Sequence, residues 1–125
     1  MTVVVGFITT KEGRGALARA VQEARLREAK LLVLRSSKPK QGAEDEAEQL
    51  LDETRAAAQG LEIEVRTSVR DSDPAEDLIK VATEEPVTMI VIGLRRRTPV
   101  GKLILGSNAQ RVLLDAPCPV LAVKA

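Results

Sequence analysis

A chain of 125 residues with 19 basic and 18 acidic side chains and a net charge of +1 is the size of one domain, 1–125, and buries roughly two thirds of its unfolded surface. Near-neutrality argues against nucleic acid or an anionic membrane as the main partner, and with Phe7 as the only aromatic residue there are no platforms on which single-stranded nucleic acid stacks. The absence of histidine removes the commonest general base and metal ligand, and a single cysteine, Cys118, excludes an internal disulfide and any multi-cysteine metal site.

The N-terminal run TVVVGFI, residues 2–8, is β-branched without alternation, which predicts a central parallel strand buried on both faces. It lacks the basic flank of a signal peptide, and no apolar run approaches the ~20 residues of a membrane span, so a cytoplasmic protein is expected. Thr9 and Thr10 follow as loop and N-cap candidates. Ala16, Leu17, Ala20, Val21 and Ala24 then recur at helical spacing to about Glu28. Gly13 and Gly15 weaken this helix by about 1 kcal/mol each unless close packing requires them.

KLLVLR at 30–35 predicts a second strand, and the polar SSKPKQG a loop. The next helix opens on Glu44, Asp45 and Glu46, where the helix dipole favours acids, buries Ala47, Leu50, Leu51, Thr54 and Ala58, and closes at Gly60. LEIEVRTSV at 61–69 alternates apolar with charged residues, as a half-exposed strand near a sheet edge does. Asp71, Ser72 or Asp73 caps a third helix with Pro74 in its first position and Ala75, Leu78, Ile79 and Ala82 inward. VTMIVI at 87–92 is the fourth strand, ending at Gly93. Ser107–Asp115 is the last helix, with Ala109, Val112 and Leu113 inward, and VLAVK at 120–124 the last strand. Strand and helix alternation of this kind specifies an α/β fold: a doubly wound, five-stranded parallel sheet with right-handed crossovers and helices on both faces.

The chemistry concentrates in GLRRRTPVGKLILGS, residues 93–107. Arg95, Arg96, Arg97 and Lys102 stand between Gly93 and Gly106 with no acid among them. If the strand ends at Gly93 and the helix starts near Ser107, then Gly106, Ser107 and Asn108 present a helix N-terminus at a strand's carboxyl end, a place suited to phosphate, with the arginines closing over it. The alternative is a solvated loop whose arginines pair with acids elsewhere. Gly101-Lys102 is followed by Leu103 rather than Ser or Thr and so does not make a P-loop.

The run VTMIVIGLRRRTPVGKLILGSNAQRVLLDAPCPVLAVK resembles the C-terminal signature of the universal stress proteins, and the order of elements extends the resemblance over essentially the whole chain. In the ATP-binding branch of that family the glycines follow the pattern Gly, two residues, Gly, nine residues, Gly, then Ser or Thr. Gly93, Gly106 and Ser107 match it, while Arg96 stands at the middle glycine. Ile8 stands where that branch ends its first strand in an aspartate that helps hold the adenosine end. The resemblance implies a Rossmann-like sheet of order 3-2-1-4-5, a stress-response role, and a homodimer joined along the last strand, Val120 to Val123. It also implies a phosphate-bearing ligand, ATP or ADP among the candidates.

For catalysis the residues offer little. The acids fall mostly on helix surfaces, Cys118 has no neighbouring cation in sequence and reads as a small buried hydrophobe, and Ser107 has no identifiable base. The reading is a dimeric binding or regulatory module. A weak ATP-hydrolysing enzyme using the same loop is the alternative.

Overall fold

A computed structural model of the chain describes residues 1–8, 10–35, 43–68, 73–94 and 106–124. Strands and helices alternate in the order β1 (Thr2–Phe7), α1 (Lys11–Leu26), β2 (Lys30–Arg35), α2 (Ala43–Ala57), β3 (Ile63–Thr67), α3 (Pro74–Glu84), β4 (Val87–Leu94), α4 (Ser107–Asp115) and β5 (Val120–Lys124). Among the described residues the five strands form one sheet of order β3-β2-β1-β4-β5, and every neighbouring pair is parallel. Val4 sits opposite Leu32 on one side and Ile90 on the other, so the expected topology and the central place of the first strand are both observed.

Burial on both faces explains why the strand sequences lack alternation. Val3, Val5, Leu31, Val33 and Val91 pack under α1 and α2 with Ala16, Leu17, Ala20, Leu50 and Leu51. Val4, Leu32, Leu34, Ile90 and Ile92 point the other way, against Ala75, Leu78, Val81, Ala82 and Val112 of α3 and α4. Successive strand residues serve opposite layers. The inner faces of α1, α2 and α3 mix alanine with leucine or valine, so on the helix side the hydrophobic core is filled by aliphatic side chains alone.

The elements begin and end where local chemistry allows. Thr10 caps α1 through its Oγ1, which accepts from the Gly13 amide at 3.1 Å. Asp73 caps α3 by accepting from the Ala75 amide at 2.9 Å, with Pro74 in the first position. Gly60 takes a positive φ of 86° just past α2, as a glycine at a helix end does.

The structure corrects several expectations. β1 ends at Phe7, leaving Ile8 outside the strand, β3 begins at Ile63 rather than Leu61, and β4 continues past Gly93 to Leu94. In α3 the buried residue beside Leu78 is Val81, while Ile79 is half-buried. In α4 only Val112 is buried, and Leu113 is 39% exposed. A nine-residue helix lying near the sheet border has one narrow inward stripe, so the residue next to Val112 turns outward.

Candidate functional site

β1 leads into α1 on one face of the sheet, whereas β4 leads toward α4 on the other. Because β1 and β4 are neighbours, their carboxyl ends diverge and leave a crevice, the position at which doubly wound sheets take their ligands. A cleft of about 230 Å³ lies there on the α3 and α4 side. Its floor is the end of the sheet: Gly6, Phe7 and Ile8 after β1, Leu34 and Arg35 of β2, and Ile92 and Gly93 of β4. Pro74, Ala75, Asp77 and Leu78 of α3 form one wall, Asn108, Ala109 and Val112 of α4 the other, and Ser68 closes the β3 end.

The two helix N-termini that meet here differ in electrostatics. α3 begins with Asp73 already capping its amides and carries Glu76 and Asp77 in its first turn, so its positive end is compensated. α4 begins at Gly106, with φ −67° and ψ 162°, and among the described residues no side chain caps it and no acid stands in its first turn. Its first amides and its dipole are therefore available to an anion. Arg111 Nη1 lies 3.2 Å from Asp73 Oδ2 and Nη2 lies 3.5 Å from Glu76 Oε1, which ties the two helix starts together across the cleft.

Two glycines set how closely α1 approaches the strand ends. A β-carbon on Gly93 would lie 2.4 Å from the carbonyl oxygen of Glu12 in α1, and one on Gly13 would lie 2.1 Å from that of Ile8. Neither residue has a positive φ, since Gly60 and Glu28 are the residues that do among those described. Glycine is needed at 93 and 13 for backbone contact between α1 and the strand ends, not for a left-handed turn. Because α1 comes this close, the carbonyl oxygen of Ile8 is turned toward Gly13.

Of the sequence-predicted site residues, Gly93 and Asn108 line the cleft, and Gly106 and Ser107 form the start of α4 beside it. Arg95, Arg96, Arg97 and Lys102 lie outside the described residues. Sequence reasoning missed Arg35, Ser68 and Asp77. Arg35 donates from Nη1 to Glu48 Oε1 at 2.8 Å, and its carbonyl accepts from the amide and the hydroxyl of Ser68 at 2.8 and 3.1 Å, joining the ends of β2 and β3. The available signal was position alone: each directly follows or ends a strand, or opens a helix, at the carboxyl edge.

Cys118 is half-buried and packs on the α3 and α4 layer, away from the cleft. Burial pushes its thiol up from the ordinary value and outweighs the opposing hydrogen bond with the Ile90 backbone, which leaves it a poor nucleophile. Glu23 is the buried acid of α1. Burial pushes its carboxyl up, but Arg19, at 3.0 Å, and Arg27 both donate to it and together hold it below the usual carboxylate value. Among the described residues no helix is long and apolar enough to cross a membrane.

Comparison with known proteins agrees with this geometry. The family model of the universal stress proteins matches residues 1–124. A universal stress protein of Mycolicibacterium smegmatis is 36% identical over 131 aligned positions covering 98% of this chain and 96% of the relative. A universal stress protein solved in complex with cAMP superimposes with a TM-score of 0.78 at 29% identity, covering 99% of this chain and 96% of the other. One from Archaeoglobus fulgidus, solved in complex with dAMP, gives 0.69 at 30% identity over 99% and 98% of the two chains. A crevice at the switch point of a 3-2-1-4-5 sheet, a full-length match to the family and relatives of the same length together lead to one conclusion: the chain belongs to the universal stress protein family.

Proposed function

We propose that the protein is a nucleotide-responsive binding module of the stress response, which holds a phosphate-bearing ligand of the adenine nucleotide class in the cleft between β1 and β4. The observation that carries this reading is the apolar cleft flanked by the uncapped, acid-free start of α4. An apolar slot accepts a base and sugar, and a helix N-terminus accepts a phosphate. The cAMP and dAMP complexes of two relatives near 30% identity support the same ligand class. Between β4 and α4 the sequence carries Arg95, Arg96, Arg97 and Lys102, further positive charge for an anionic ligand. The module acts as a homodimer joined along β5, from Val120 to Val123.

The test is calorimetric titration with AMP, cAMP, Mg-ATP and inorganic phosphate on the wild type and on Ser107→Asp. An aspartate in the first turn of α4 favours the helix but repels a phosphate at the same amides. Affinity is expected to fall about tenfold or more while the melting temperature holds or rises. No heat and no thermal shift with any of these ligands at millimolar concentration would end the reading.

A further inference from the structure

Resting on that reading, the strand order assigns the parts of a bound nucleotide. With phosphate at the start of α4, beside the end of β4, a ligand lying across the cleft toward Arg35 and Ser68 places its sugar over the end of β1. Adjacent strands are about 4.8 Å apart, so the base reaches the β2 end about 10 Å from the phosphate, and the sugar lies between them. Among the described residues the side chains at the end of β1 offer the sugar no acceptor. Gly6 has no side chain, Phe7 and Ile8 are hydrocarbon, and Ile8 is 56% exposed at the cleft. The carbonyl oxygen of Ile8 is turned to Gly13 of α1, so close that a β-carbon there would lie 2.1 Å away. Nearby polar groups of the β2 and β3 ends are engaged: Arg35 with Glu48, and the Ser68 hydroxyl with the Arg35 carbonyl.

We infer that the cleft discriminates at the sugar, with Ile8 as the specificity-determining residue: it takes nucleotides presenting a single free sugar hydroxyl, 2′-deoxy or 3′,5′-cyclic, over ribonucleoside 5′-monophosphates with a vicinal diol. A hydroxyl pressed against the Ile8 side chain loses water and gains no partner from it, which weakens binding about tenfold per unsatisfied group. cAMP and dAMP, the ligands in the complexes of two relatives, each carry one free sugar hydroxyl.

The experiment measures affinities for AMP, dAMP and cAMP with the wild type, Ile8→Asp and Ile8→Asn. The exposure of Ile8 makes both substitutions compatible with folding. The aspartate repels every phosphate ligand alike, so the ratio of affinities is the readout and the neutral asparagine is its check. The wild type is expected to bind dAMP and cAMP about tenfold more tightly than AMP, and both variants to narrow or reverse the ratio. Equal or tighter binding of AMP by the wild type overturns the inference, as does an unchanged ratio in both variants. If no nucleotide binds at all, the proposed ligand class falls and the sugar preference with it.

Discussion

A β-carbon at Gly13 meets the backbone of Ile8, with the carbonyl carbon at 2.8 Å as well as the oxygen at 2.1 Å, whereas at Gly15 its nearest neighbour is Val123 Cγ1 at 3.8 Å. The two glycines share a helix turn and look alike in sequence, but they answer different needs. Gly15→Ala is expected to stabilise the protein by about 0.5–1 kcal/mol, because it removes backbone entropy and makes an ordinary contact. Gly13→Ala is expected to destabilise it by about 1–3 kcal/mol, because backbone, not a flexible side chain, must give way. Urea unfolding of the two variants decides the matter, and equal effects would show that α1 does not hold its contact with the β1 end. Sequence pointed to Gly93, Gly106, Ser107 and Asn108 as candidates because they bracket a basic segment. It could not separate Gly13 from Gly15, nor find Arg35 and Ser68, since these depend on which strand ends the fold brings together.

At the level of elements, β3 is held by charge. Glu64 accepts from Lys30 of β2 and from Arg66, and Arg66 also donates to Glu85 at the end of α3. Hydrogen bonds from Lys30 and Arg66 hold the Glu64 carboxyl below its usual value near 4.5, and Arg66 does the same for Glu85. A depressed carboxylate contributes stability that is fully present above its unfolded pKa and is lost as the pH falls through the lower folded value. Glu85→Gln is therefore expected to be less stable than the wild type at neutral pH, by an amount that shrinks as the pH falls from the unfolded value near 4.5 through the lower folded one. Thermal melts from pH 7 to pH 3 check it, and a constant difference across that range would rule out the ion pair as its source. The alternation of charged and apolar residues in 61–69 marked this strand as peripheral, and the continuous apolar runs marked β1 and β4 as central, so the layering was readable from sequence. The outward turn of Leu113 was not, because a nine-residue helix with several leucines has no period long enough to choose among them.

For the whole molecule the two edges of the sheet are opposites. β3 presents paired charges, which discourage another strand from docking. β5, VLAVK, carries only a terminal Lys124 and has no strand beyond it among the described residues. Its flanks are apolar as well. Around α4, Leu113 lies one residue beyond Val112 and Arg111 one residue before it, so the two sit about 200° apart. Arg111 faces α3, which sends Leu113 toward the β5 side. Leu114 is 82% exposed next to it. In the proposed dimer a twofold axis would bring β5 beside β5 and cover Leu113 and Leu114, a self-complementary arrangement that closes without leaving a free edge. Leu113→Glu places like charges near that axis without touching the buried core, so sedimentation velocity at micromolar concentration is expected to give a dimer for the wild type and a monomer for the variant, both with native circular dichroism. A wild type that sediments only as a monomer, or a variant as dimeric as the wild type, would move the contact away from this edge. α4 would then be left with the cleft alone to explain its exposed leucines, which lie at the opposite end of the helix from Ser107.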